Sequence, residues 1–148
     1  MPYNFDQGVQ DHDLSPRFKS SSTIVGSPGL AAEVVVCQVA GLDNFLGAAS
    51  GVFLSGVISF TVGTSGTAIR LRIRQGTVAG AGTVVADTGA LTGGVAATNL
   101  LSQDLQGFDA TASGGAAIAS TSYHLSLQVT AGAAVSTVSQ TNLVALVV

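Results

Sequence analysis

From Ile69 to Arg74 apolar side chains and arginines alternate without a break, with Ile69, Leu71 and Ile73 in one set and Arg70, Arg72 and Arg74 in the other. A period of two places the sets on opposite faces of an extended strand, and no helix satisfies it. The same period recurs along the chain. In residues 54–62, Leu54, Ile58, Phe60 and Val62 share one face, while Ser55, Ser59 and Thr61 share the other with Val57. In residues 123–130, Tyr123, Leu125, Leu127 and Val129 alternate with His124, Ser126, Gln128 and Thr130. Such alternation marks half-buried antiparallel strands. Further strands are expected at 33–39, 82–87, 116–120, 135–140 and 142–148, which brings the total to about eight, the number in a two-sheet jelly roll or related sandwich. Residues 92–112 have weak periodicity and are expected to form the longest loop, with room for one helical turn at 100–105.

The surface of such a body must be unusual. Only 9% of the 148 residues are charged, against a usual share of about a quarter, so Ser, Thr, Gly and Ala have to cover most of it. Net charge is −3 and Lys19 is the single lysine, so no general basic field draws phosphate backbones and nucleic acid is not an expected partner. Cys37 is the only cysteine, which excludes an internal disulfide and a Cys-based zinc site. It follows Val34, Val35 and Val36 and reads as a small buried hydrophobe. Residues 44–69 are free of charge, but their glycines, serines and strand-like second half speak against a membrane span. The N-terminus has no cationic stretch followed by an apolar one, so export by a secretory signal is not expected.

Composition changes near residue 22. The preceding segment holds Asp6, Asp11, Asp13, Arg17 and Lys19, and all three prolines lie within the first 28 residues. With no regular apolar period it cannot bury enough surface to fold alone. Residues 1–28 are therefore expected to be an extended N-terminal arm, and residues 29–148 a β-sandwich body. The fold class is all-β, an antiparallel two-sheet jelly-roll-like sandwich. Tyr3, Phe5 and Phe18 are three of the chain's eight aromatics, more than a tether requires. Together with Arg17 and Lys19 they make the arm a candidate partner-binding segment that orders on another protein.

The lone lysine lacks the glycine pattern of a phosphate-binding loop, and Gly80 and Gly82 are not followed by a third glycine at dinucleotide-binding spacing. Asp11, His12 and Asp13 are adjacent in the arm and would need a further ligand to hold a metal. His124 has no nucleophile elbow to serve and reads as a strand-face histidine. The reading is a protein without catalytic residues, cofactor or metal.

Two features point to contacts between chains. The arginine ladder spans about 13 Å on one strand face and is either a solvated face that deters edge pairing or a dock for carboxylates of a neighbouring subunit. An exposed strand residue is worth under about 0.5 kcal/mol to folding, so Arg72→Glu is expected to weaken assembly and spare the melting transition. Residues 142–148 are apolar on both faces, with Leu143, Ala145 and Val147 opposite Val144, Leu146 and Val148. Residues 34–39 repeat this, with Val34 and Val36 opposite Val35, Cys37 and Val39. A sandwich strand turns one face to solvent unless something covers it, so a homo-oligomer, a trimer above all, is expected. Arg70, Arg72, Arg74, Val144, Leu146 and Val148 are its inter-subunit residues.

A short polar arm, a proline-free body of about eight strands and no active-site chemistry together resemble the small decoration, or cement, proteins of tailed bacteriophage capsids, in their jelly-roll form. The strand 69–77 leading into 78–87, followed by 123–130, carries the likeness, which covers residues 30–148 in pattern. The resemblance implies a structural virion protein on the capsid exterior that binds the major capsid protein and braces the shell, as a trimer, with no membrane partner. The competing reading is a carbohydrate- or receptor-binding module of a fibre or adhesin; the absence of Trp and the few body aromatics disfavour it.

Overall fold

The computed structural model describes residues 18–21, 32–42, 51–62, 67–92, 100–110, 121–132 and 135–148. They form nine strands: β1 (Phe18–Ser21), β2 (Glu33–Leu42), β3 (Val52–Val62), β4 (Ala68–Gln75), β5 (Val84–Asp87), β6 (Leu91–Thr92), β7 (Leu100–Asp109), β8 (Thr121–Ala131) and β9 (Val135–Val147). The pairing is nested. β1 pairs with β9, β2 with β8, β3 with β7 and β4 with β5, all antiparallel. This folded ribbon is then rolled so that β9 also pairs with β3 and β8 with β4. One sheet runs β1-β9-β3-β7 and the other β2-β8-β4-β5, with the short β6 beside β4. Two sheets built this way are a jelly roll.

Between the sheets lies the core. Val52, Leu54, Ile58 and Phe60 of β3 and Leu143, Ala145 and Val147 of β9 face Ile69, Leu71 and Ile73 of β4 and Tyr123, Leu125, Leu127 and Val129 of β8. The alternation in β4 and β8 is thus a record of which face is buried. Of the charge-free stretch 44–69, residues 52–62 are strand β3, and among the described residues no helix is long and apolar enough to cross a membrane.

The structure departs from expectation in four places. Residues 100–109, expected in a loop with a possible helical turn, form the ten-residue strand β7, paired with β3 along its length. An edge strand of this kind turns Ser102, Asp104, Gln106 and Phe108 to solvent, with only Leu105 as a large half-buried apolar partner among residues 102–107, so its pattern carries little hydrophobic contrast. The two C-terminal strands expected at 135–140 and 142–148 are one strand, β9. Its polar midpoint, Thr141, is buried because its hydroxyl donates to the Val36 carbonyl at 3.1 Å across the sandwich.

That carbonyl belongs to the third departure. A β-bulge between Val35 and Cys37 inserts Val36 as an extra residue, and a bulge shifts every later side chain to the other face. Val34 lies opposite the inward Leu127, Cys37 opposite Leu125 and Val39 opposite Tyr123, whereas Glu33, Val35 and Gln38 lie opposite Gln128, Ser126 and His124. β2 is therefore not apolar on both faces, and Cys37 is buried. Fourth, Phe18–Ser21, read as the end of the arm, pairs with residues 143–146 of its own chain. The expected strand at 116–120 and the remainder of residues 1–28 lie outside the described residues.

Candidate functional site

The two sheets present opposite chemistry on their outer faces. On the five-stranded sheet the arginines of β4 stand between Asp87 of β5 on one side and β8 and β2 on the other, because Arg72 is in register with both Asp87 and Ser126. The Arg70 guanidinium grips the Asp87 carboxylate, its Nε donating at 2.8 and 3.0 Å and a terminal nitrogen pairing as well. Arg72 donates from Nε to Asp87 at 3.1 Å, and from a terminal nitrogen to Glu33 at 2.6 Å and Gln128 at 2.9 Å. Arg74 donates from Nε to Glu33 at 2.8 Å and from a terminal nitrogen to the Gly82 carbonyl at 3.1 Å. Gly82 takes φ +82° where a Cβ would lie 1.8 Å from the Gln75 carbonyl oxygen, so only glycine fits this turn.

Glu33 also accepts from the Ser126 hydroxyl at 2.6 Å. Burial pushes its carboxyl up, but hydrogen bonds from Arg74 and Ser126 and the charges of Arg74 and Arg72 outweigh that and bring its pKa down to about 2. Asp87 is likewise held below the ordinary carboxylate range, first by Arg70 and then by the Gly89 amide and Arg72. These side chains lace β2, β8, β4 and β5 together. The expectation of a solvated ladder is corrected: Arg72 is only 9% exposed, and its donors are aimed at carboxylates of the same chain. Alternation gave the face of β4 but not its neighbours, since Glu33 lies 39 residues away in sequence.

The four-stranded sheet is the reverse. Phe53 of β3 stands opposite Leu146 of β9 on one side and Phe108 of β7 on the other, and Leu146 is opposite Phe18 of β1 in register. A single row across β9, β3 and β7 is thus occupied by Leu146, Phe53 and Phe108, and the β1 backbone at Phe18 is in register with it. Phe53, Phe108, Leu146, Val57 and Val148 are each between 39% and 49% exposed. Val148 exchanges backbone hydrogen bonds with Gly51. A Cβ on Gly51 would lie 2.6 Å from the Phe108 ring, so glycine there lets the ring lie flat over the strand. Toward the other end the rows turn polar, through Ser55, Val144 and Gln106 to Asn142 and Asp104, then Gln140, Ser59 and Ser102.

Two further polar groups are internal. Tyr123 of β8 donates to Asp109 of β7 at 2.9 Å, joining the sheets, and burial, followed by the Asp109 contact, raises its phenol well above the ordinary range. His124 shares a hydrogen bond between Nδ1 and the Gly76 carbonyl at 2.9 Å; it stands on the outer face of β8, in register with Arg74 and Gln38, and is nevertheless fully buried. Among the described residues no group of three or more His, Cys, Asp or Glu is placed to hold a metal ion.

Of the expected site residues, Val144, Leu146 and Val148 do share one outer face, but Arg70, Arg72 and Arg74 lie on the outer face of the other sheet, so the structure does not bring the two groups together. Phe18 and Lys19 are in β1, in register with Leu146 and Ala145. Tyr3, Phe5 and Arg17, and Asp11, His12 and Asp13, lie outside the described residues. Sequence reasoning missed Phe53 and Phe108. Phe53 was within reach, because it has the parity of Ser55 and Val57 on the outward face of β3, while Phe108 needed the strand assignment of β7.

No family model matches the chain, and no curated protein sequence does. Among solved structures the chain is similar to one in a structure of infectious bursal disease virus, Gx strain, at 16% identity and a TM-score of 0.47, over 91% of this chain and 30% of that one. The chain thus spans less than a third of that neighbour's length.

Proposed function

We propose that the chain is a structural virion protein that binds the outside of a phage capsid shell, on the major capsid protein, and braces it as a decoration protein, assembled as a homotrimer and carrying out no catalysis. The observation that supports this reading is the exposed row of Phe53, Phe108 and Leu146 across one jelly-roll sheet, in a body whose arginines are bound to its own carboxylates. Apolar rings set in a sheet face favour contact with protein rather than with water. The arm residues Tyr3, Phe5 and Arg17 supply a second contact, rooted where Phe18 and Lys19 join β9. The experiment is to add the purified chain to undecorated shells and to image and heat the particles. Outer density at fixed lattice positions and survival to higher temperature are expected; deleting residues 1–17, which spares β1, should lower occupancy. Absent density at saturating protein would overturn the reading.

One observation favours a second reading, a carbohydrate- or receptor-binding module of a fibre or adhesin. Phe53 and Phe108 are cross-strand neighbours with exposed rings, a platform on which a sugar ring can stack. Glycan retention that Phe108→Ala abolishes, with no shell binding by the parent, would decide for it.

A further inference from the structure

The outer face of the four-stranded sheet is set apart by what it lacks. Asp104 is the only charged side chain among its described outward positions. Beyond the apolar end the outward positions are mostly Ser, Thr, Asn and Gln, beside Val57, Val144 and Asp104; these polar groups both donate and accept, so each can pair with its own kind across an interface. On the other sheet, three guanidiniums against Glu33 and Asp87 leave a positive excess, and two such faces would repel. For a chain of net charge −3, the four-stranded sheet is where two copies meet with least opposition.

We propose that this face is the surface on which a second copy of the chain docks, with Phe53, Phe108 and Leu146 at the centre of the contact. The area suits a small, reversible contact. Each outward side chain tiles roughly 33 Å² of sheet, two residues of about 3.4 Å rise by a strand spacing of about 4.8 Å. The rows from Val148 to Ser59 then offer on the order of 450 Å² in projection, and more with side-chain relief, a little over half of the roughly 800 Å² per partner of a standard interface and in the range of weaker, reversible contacts. Rings flanked by a polar surface whose one described charge is Asp104 share the apolar core and polar surround of such interfaces. The inference rests on the oligomer part of the reading above but makes its first contact a two-fold one between like faces, and needs no shell for its test.

Sedimentation equilibrium of the full chain from about 1 to 100 µM, a range that brackets transient and stable self-association, should give a mass above that of one chain. Phe53→Asp should raise the dissociation constant by more than about tenfold, because it sets a carboxylate against apolar surface. Val78→Asp, an exposed position in the β4–β5 hairpin away from this face, should not. A spin label on Ser55→Cys, one row from the rings, reads the contact directly, and Cys37 is buried and does not compete for the label. Sheets that stack about 10 Å apart should bring two such labels within roughly 30 Å. A parent that stays monomeric, a Phe53→Asp chain that associates unchanged, or labels beyond roughly 40 Å would each overturn the proposal. A monomer that still decorates shells would overturn it while leaving shell binding intact.

Discussion

The outer faces of the two sheets solve the same problem in opposite ways. Each is a row of side chains that the core cannot use. On β4 the row is arginine, and the fold surrounds it with carboxylates from β2 and β5 until Arg72 is nearly buried. On β3 and β9 the row is Phe53 and Leu146, and the described residues leave it open. Charge is satisfied within the chain because an unpaired buried ion is costly, whereas exposed apolar surface costs little until it is large. The charged face therefore serves folding and the apolar face is free for association. Each variant below breaks one side of that contrast.

The largest effect is expected from Arg72→Glu, the substitution that strand alternation alone marks as weakening assembly while sparing the melting transition. Its carboxylate would meet Glu33 and Asp87, so the loss should reach or exceed the roughly 3–5 kcal/mol typical of a broken buried pair. Arg72→Met should cost less than Arg72→Glu, because it removes the cation without adding repulsion. Chemical denaturation of both variants would check the ranking, and an unchanged midpoint in Arg72→Glu would mean that the network does not hold the sheet.

Acid tests the same face next. The folded pKa of Glu33 is about 2 against an ordinary 4.5, a depressed value, so its contribution is fully present above pH 4.5 and is lost as pH falls toward 2. On the order of 3 kcal/mol is at stake over that window. Denaturation midpoints should fall steeply there in the parent, and the slope should flatten in Glu33→Gln. An equal slope in the two would assign the acid sensitivity elsewhere.

What could be read from the sequence follows the same division. The faces of β4 and β8 were legible because one long alternating run decides them locally, and the burial of Cys37 because valines precede it. The bulge at Val36 was not, since it depends on how β2 meets β8 and β9. Nor were the partners of the arginines, which are fixed by strand pairings between distant segments. Val144, Leu146 and Val148 were recognised as an unused face from β9 alone. That Phe53 and Phe108 extend the same row required β9-β3-β7 to be neighbours, and β7 hides its strand character behind polar residues at the sheet edge.

A smaller effect belongs to neither face. Tyr123→Phe removes the hydroxyl that links β8 to Asp109 of β7, and leaving a buried carboxylate with one donor fewer costs about 1–3 kcal/mol. Thermal melting should show it without any change in oligomeric mass. A loss of assembly in this variant would blur the separation between interior and surface roles.

The smallest effect should come from the ladder's outermost rung, and it sharpens the comparison most. Arg70 and Arg72 sit two residues apart on one strand and share Asp87, yet the Arg70 side chain is 37% exposed and that of Arg72 only 11%. Water screens the outer pair, and exposed pairs contribute little to stability. In Arg70→Gln, Asp87 keeps Arg72 at 3.1 Å and the Gly89 amide at 2.7 Å, so no buried charge is abandoned. The destabilisation should be smaller than in any variant above and shrink further in high salt, where an exposed pair contributes little in the parent as well. Comparing Arg70→Gln with Arg72→Gln by urea denaturation at low and high salt isolates depth as the variable. If the two cost the same, burial does not grade this face, and the arginine row would have to be regarded as surface along its whole length.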